Sequence, residues 1–314
     1  MNKNDLAPIC LFTYNRLDET KQTIKALQKN HLASESELFI FSDGSKSIEG
    51  KSKIEEVRKF IRTVVGFKNV TIYESEENKG LANSIIKGVG LIFERFNKVI
   101  VLEDDLKTTT NFLDFMNQSL SFYKDDARVQ SVSGYSLKIP DNEKKMDVYL
   151  HRRTHSWSWG TWKNCWKESI FDKQKLQEEL NTQILDGFKK ECGEDIPRML
   201  TNSIEGKNDS WYVRWAYDHY KNGAFCVYPY LSKVQNIGFS EEGTNCNGID
   251  VSLSEMDTSQ KRKFVLADIV YTKQMKKSFL TYFSKKYKIK FRIKLLLTAK
   301  GRESIAMELK RRFL

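Results

Sequence analysis

Apolar positions in the first 135 residues follow two spacings. Residues 8–13 (PICLFT), Leu38–Phe41, Val70–Tyr73 and Val99–Leu102 are short, nearly continuous apolar runs. Their brevity and their β-branched or aromatic content predict buried strands. Between them, Thr20, Ile24, Leu27 and His31 recur at helical spacing, with Asn15 as a candidate cap. The same period joins Ile54, Val57, Ile61 and Val64, then Leu81, Ile85, Val89, Ile92 and Phe96, then Phe112, Met116, Leu120 and Tyr123. Val129–Val132 begins another strand. Strands alternating with helices predict an α/β fold whose mostly parallel sheet is covered on both faces. Such sheets bind ligands beyond the carboxyl ends of their strands. The ends of interest are Thr13–Arg16, Ser42–Ser45 and Glu103–Asp105.

The second half has a different texture. His155–Trp166 holds four of the six tryptophans, and Trp211 and Trp215 share a helical face after Asp209. Leu176, Leu180, Ile184 and Phe188 predict one helix, and Phe225–Tyr228 a strand. Charge then divides the chain. Residues 273–314 carry 14 Lys/Arg against Glu303 and Glu308, while the preceding 272 residues sum to about −1. A nearly neutral body with an appended basic extension does not resemble a nucleic-acid-binding domain, whose basic residues cover a folded face. Five scattered cysteines without a CxxC pair predict neither a disulfide frame nor a zinc site, and a reducing cytosol is expected. No apolar run reaches the length of a membrane span and the first residues lack a signal-peptide core, so neither feature is expected.

Glu103-Asp104-Asp105 is the sharpest chemical feature. Three adjacent carboxylates at a strand end repel one another unless a cation or donors offset them. They suit Mg²⁺ or Mn²⁺ held with substrate phosphates; the plain alternative is a solvated acidic turn. Asp43 in SDGS is either a nucleotide-binding acid or part of an Asp-Gly turn. Asn78-Lys79-Gly80 is either a phosphate-binding helix start or an ordinary cap and turn. Asp209 in NDSW is a candidate base or an N-cap. Trp157, Trp159, Trp162 and Trp166 are core or a sugar-binding aromatic face. His151 and His155, four apart, lack accompanying metal ligands.

FTYNR, SDGS, ENKGLANSI and VLEDDL, in this order, resemble family 2 glycosyltransferases of the GT-A fold. WSWGTW, NDSW and YPYLSKVQNIGFSEEGTN are similar to N-acetylglucosaminyltransferase I and its bacterial relatives, so the likeness covers about residues 7–247. The resemblance implies a GT-A, Rossmann-like sheet flanked by helices, and Asp105 as metal ligand. It places Glu103 and Asp104 against ribose and sugar, and gives base, ribose and diphosphate to Thr13, Tyr14, Asn15, Arg16, Asp43 and Lys79. The catalytic base would be Asp209, with Glu241 or Glu242 as alternatives.

These readings divide the chain into a GT-A domain, 1–272, and a basic amphipathic extension, 273–314. Within the domain, about 1–135 binds the nucleotide-sugar and about 136–272 the acceptor. The expected activity is inverting transfer from a nucleotide-sugar, with UDP as the expected nucleotide, to a glycan or lipid-linked hydroxyl in surface polysaccharide synthesis. Mn²⁺ or Mg²⁺ is the expected cofactor, and no nucleic-acid partner is expected. Between Lys286 and Leu295 basic and apolar residues alternate. The extension is therefore expected to dock on an anionic membrane, placing a cytoplasmic protein on the inner face of the cell membrane. A sugar nucleotidyltransferase is the enzymatic alternative, though FTYNRLDE lacks the glycines of its phosphate loop. A non-catalytic protein binding membrane or nucleic acid through the extension leaves the acidic triplet unexplained.

Overall fold

A computed structural model of the chain describes residues 5–140, 146–238, 254–266, 271–298, 301–302 and 305. The first half follows the predicted alternation: β1 (Ile9–Thr13), α1 (Leu17–Gln28), β2 (Glu37–Ser42), α2 (Lys51–Ile61), β3 (Asn69–Glu74), α3 (Leu81–Phe93), β4 (Lys98–Glu103), β5 (Leu106–Thr108) and α4 (Phe112–Phe122). The second half adds β6 (Val129–Ser133), β7 (Val148–His151), β8 (Trp159–Trp162), α5 (Lys173–Glu179), α6 (Thr182–Cys192), α7 (Ile196–Ile204), α8 (Trp211–Lys221), β9 (Phe225–Pro229) and β10 (Val234–Asn236). Two helices close the described chain, α9 (Lys273–Thr281) and α10 (Lys285–Leu296).

Eight strands form one sheet in the order β3-β2-β1-β4-β8-β6-β9-β7. β1–β4 are mutually parallel, β8 runs antiparallel between β4 and β6, and β7 closes the edge antiparallel to β9. The order reverses from β2-β1 to β1-β4, so the carboxyl ends of β1 and β4 flank a topological switch point. Apolar side chains cover both faces. Ile24, Leu27, Val57, Phe115 and Met116 pack on one, and Ile85, Val89, Ile92, Trp211 and Trp215 on the other. This is the expected α/β architecture of the GT-A kind.

Several local expectations are corrected. The α1 cap position is Arg16, not Asn15, and no side chain caps that helix. The single helix expected through Leu176–Phe188 is two: Leu180 is extended and Asn181 restarts the chain by accepting from Ile184 N. Five of the tryptophans are core. Trp159, Trp166, Trp211 and Trp215 pack together, with ring centroids 4.5–6.2 Å apart, and Trp162 lies on the sheet's other face. Trp157 is half-buried against Tyr135 and His155.

The basic extension begins inside the body. Phe279 is fully buried and stacks on His151 at 3.8 Å between ring centroids, and Lys276 reaches Glu191 at 2.6 Å. α10 is tethered where Lys285 N donates to Glu194 and Lys288 Nζ pairs with Asp195 at 3.3 Å. Its alternating sequence folds as a helix. At about 100° per residue, every second residue advances about 200°, so alternation sorts onto opposite sides of the cylinder. Tyr287, Phe291 and Leu295 are the half-buried side; Ile289, Ile293, Leu296 and Leu297 are the exposed side. The basic residues lie mainly in the two strips between. Among the described residues, no helix is long and apolar enough to cross a membrane.

Candidate active site

Parallel pairing of β1 with β4 sets Phe12 beside Glu103 and brings the residues after both strands together. Tyr14 N donates to Asp104 Oδ2 at 3.3 Å. The Arg16 guanidinium donates to Asp105 Oδ2 at 3.1 Å and also grips Asp104 Oδ1. Asp104 and Asp105 are buried, and Glu103 is half-buried. Removal from water, then repulsion from Asp105 and Asp104, pushes the Glu103 carboxyl up to about 8. Burial pushes Asp104 up to about 6 although Arg16 opposes it, and raises Asp105 in the same way. The triplet is thus not a solvated turn. Asp104 and Asp105 share the Arg16 guanidinium in a low-dielectric setting, with the Glu103 carboxyl near enough to feel all three charges.

A second group forms at the ends of β2 and β3. Asp43 accepts from Lys79 N at 2.9 Å, Gly80 N at 3.0 Å, Gly44 N at 2.9 Å and Asn78 Nδ2 at 3.2 Å. Four donors occupy this carboxylate, so in this state it fixes the loop leading into α3. Asn78 does not cap that helix. The cap position is Gly80, whose φ of 75° disfavours any side chain. Lys79 is exposed and, with Asp43, Tyr73 and Lys87, lines a cleft of about 440 Å³ between α3 and β2–β3. A cavity of about 230 Å³ around Lys167, Asp218 and Lys221 shares no residue with either group.

Asp209 stands beside the second group. A Cβ built on Gly80 would lie 3.7 Å from Asp209 Oδ2. The α8 cap is Ser210, whose hydroxyl accepts from Val213 N, so Asp209 does not serve as the cap. Its side chain is exposed, with Arg214 at 3.6 Å. Thr13 donates to Phe41 O at 3.3 Å and ties β1 to β2, and Asn15 is half-buried at the bend after β1. Glu241 and Glu242 lie outside the described residues.

Two contributors were not singled out from the sequence. Arg58, on α2, donates to Ser75 O at 2.6 Å, Asp43 O at 3.4 Å and Ser42 Oγ at 3.2 Å, clamping the ends of β2 and β3. Its sequence setting is that of an ordinary helical arginine. The second is Gly238. β10 pairs antiparallel with β5, Ile237 N donates to Asp105 O at 2.8 Å, and the chain then passes directly over the acidic group. A Cβ on Gly238 would fall 2.1 Å from Asp105 Oδ2, so any larger residue there would have to displace the Asp105 or Arg16 side chain. The Asn-Ile-Gly string was visible, but its partner strand was not.

The model of the family described as "Glycosyl transferase family 2" matches residues 9–185, more than half of the chain. The chain belongs to that family. The matched span contains Thr13–Arg16, Asp43, Arg58, Lys79 and Glu103–Asp105; Asp209, the loop from Asn236 to Gly238, Glu241 and Glu242 lie beyond it. No curated protein matches the sequence. Among solved structures, this glycosyl transferase family 2 chain is similar to the mannosyltransferase PcManGT of Pyrobaculum calidifontis, solved with GDP-Man and Mn²⁺ (16% identity, TM-score 0.35). That similarity covers 51% of this chain and 48% of the mannosyltransferase, about half its length. TarS of S. aureus is similar at 13% identity and TM-score 0.30, over 47% of this chain and 25% of that one. A cytidylyltransferase from Leptospira borgpetersenii is similar at 11% identity and TM-score 0.32, over 63% and 72%.

The acidic group is compatible with a divalent ion. Among the described residues no three His, Cys, Asp or Glu side chains converge on one point. One or two carboxylates suffice for Mg²⁺ when phosphate and water complete its shell. The excess of buried carboxylates over guanidinium favours such an occupant.

Proposed function

We propose that the protein is an inverting glycosyltransferase that moves a sugar from a nucleotide-sugar, with UDP the expected nucleotide, to a hydroxyl of a glycan or lipid-linked acceptor in surface polysaccharide synthesis. The observation that carries this reading is the Glu103-Asp104-Asp105 cluster, its two aspartates buried, at the switch point of a glycosyl transferase family 2 chain. Asp105 would hold Mn²⁺ or Mg²⁺, with Glu103 and Asp104 turned to the ribose and sugar. Thr13, Tyr14, Asn15 and Arg16, together with the loop that Asp43 ties to Lys79, would hold base, ribose and diphosphate. The bound ion would neutralise charge on the leaving diphosphate.

Asp209 would accept the proton of the acceptor hydroxyl. The hydroxyl oxygen then bonds to the anomeric carbon from the face opposite the diphosphate, and the carbon–oxygen bond to the diphosphate breaks. One carboxylate base suffices for this displacement. The likeness of WSWGTW, NDSW and NIGFS to N-acetylglucosaminyltransferase I supports placing acceptor chemistry in the second half, about residues 136–272.

The exposed side of α10 supports membrane docking. Ile289, Ile293, Leu296 and Leu297 present apolar surface between basic strips, a pattern suited to an anionic leaflet on the cytoplasmic face. Two experiments test these readings. Melting is followed with UDP, GDP or dTDP, each with Mn²⁺ or Mg²⁺; a specific nucleotide–metal pair should raise the transition, and no shift with any pair would defeat the donor assignment. Co-sedimentation with phosphatidylglycerol vesicles should be lost in an Ile289→Gln/Ile293→Gln protein that still binds nucleotide. Undiminished sedimentation of that variant would sink the docking face.

A further inference from the structure

We propose that Arg16 is a resident counter-cation of the donor site, holding Asp104 and Asp105 so that metal and nucleotide load together rather than metal first. This rests on the assignment of Asp105 as metal ligand. It adds a gate that the assignment does not require.

The geometry begins with one guanidinium nitrogen contacting both carboxylates, at 3.1 Å from Asp105 Oδ2 and in a shorter contact with Asp104 Oδ1. All three side chains are largely withdrawn from water, with 13%, 4% and 8% of the Arg16, Asp104 and Asp105 side chains exposed. An ion held by the Asp105 carboxylate would therefore share that carboxylate with this guanidinium. Two cations that close repel strongly where water is scarce.

The backbone limits the alternatives. Gly238 passes so near that a Cβ there would sit 2.8 Å from Arg16 Nη1 and 2.1 Å from Asp105 Oδ2. Asp105 is held through Ile237 N on its carbonyl, and Asp104 through the Thr23 hydroxyl on its own. The acids are fixed from behind, and the long Arg16 side chain is the part able to turn away.

Charge gives the coupling its direction. Asp104, Asp105 and Arg16 together carry one negative charge. A divalent ion alone would reverse that sign, and a nucleoside diphosphate restores it. The diphosphate also offers the displaced guanidinium a bidentate partner, which an ammonium would not replace in kind. Metal should thus tighten nucleotide binding by the same factor that nucleotide tightens metal binding.

Calorimetry of Mn²⁺ binding, with and without saturating UDP, tests this on the full chain. Wild type should bind Mn²⁺ alone weakly, and UDP should tighten it at least tenfold. Arg16→Gln should bind Mn²⁺ alone at least tenfold more tightly than wild type and show a smaller UDP effect. Circular dichroism checks folding. Should Arg16→Gln fail to fold, Arg16→Lys, whose single ammonium cannot bridge two carboxylates as well, must move Mn²⁺ affinity in the same direction. Equal affinity for Mn²⁺ alone in wild type and variant overturns the gate while leaving the metal site standing. An Asp105→Asn protein that binds Mn²⁺ with UDP as wild type does would instead remove the metal assignment itself.

Discussion

At the carboxyl end of β4, Asp104 and Asp105 share one guanidinium with Glu103 beside them; in the second half, the buried cations Arg153 and Lys233 each meet a carboxylate. Arg153 pairs with Asp195 at 2.7 Å, and Lys233 grips Asp257. Two histidines packed near β6–β9 are kept neutral. His219 bonds Ser131 Oγ at 2.8 Å and the Trp215 carbonyl at 3.0 Å, both uncharged, while burial pushes it down to about 4. Burial and then Arg153 push His155 down to about 3. A matched pair with its hydrogen bonds made is complete as it stands. An unmatched cluster is an invitation to a cation. The difference teaches where charge serves packing and where it awaits a ligand.

The largest effect should come from removing the unmatched charge. Asp105→Ala should abolish turnover and Mn²⁺-dependent UDP binding without unfolding the chain, since relieving repulsion does not weaken the core. Circular dichroism and calorimetry together check this, and near-normal activity would erase the contrast between the halves.

Asp209→Asn should lower kcat by about 10²–10⁴-fold while leaving UDP affinity unchanged, the usual worth of a general base. Ser210→Ala sharpens this, because it removes the actual α8 cap and should cost about 1 kcal/mol of stability with little effect on kcat. An active Asp209→Asn enzyme would direct attention to Glu241 and Glu242.

Phe279→Ala should destabilise by about 3–5 kcal/mol, as expected for an aromatic side chain lost from a packed site. Urea denaturation measures it. Deletion from Lys285 onward should leave the melting of the body nearly unchanged. Equal stability of the two altered proteins would mean that α9 is an appendage after all.

The halves should also respond to pH with opposite sign. The second-half histidines have folded pKa values below their unfolded value of about 6.5, so the unfolded chain binds more protons as pH falls. Their contribution is present above pH 6.5 and is lost toward pH 4, by up to about 1.4 kcal/mol per histidine per pH unit. The raised Glu103 works in reverse. The folded chain holds its proton more tightly, so stability declines as pH rises from the ordinary carboxyl value through about 8. Urea midpoints across this range should peak near neutrality. Mn²⁺ with UDP should flatten the alkaline limb alone; flattening of the acid limb instead would refute the assignment of the two limbs.

Periodicity by itself determined the α/β class, β1–β4, the helices between them and the acidic strand end. Consecutive neighbours there pack against one another, so local spacing reports tertiary position directly. The series FTYNR, SDGS and VLEDDL likewise pointed to the family now matched over residues 9–185. What only the tertiary structure decided depends on partners distant in sequence. β8 enters the sheet centre between β4 and β6, which its tryptophan-rich string did not announce. Asp43 spends its lone pairs on a loop more than 30 residues away, and Gly238 closes over Asp105 through a two-stranded pairing with β5. The alternation in α10 left its local conformation open; the chain is helical there and the alternation yields two apolar sides. Arg16 was expected from the resemblance to hold part of the nucleotide, not to bind the acidic strand end. Its hold on two buried carboxylates arises because parallel pairing of β1 and β4 brings together residues about 90 positions apart, and no local pattern encodes that distance.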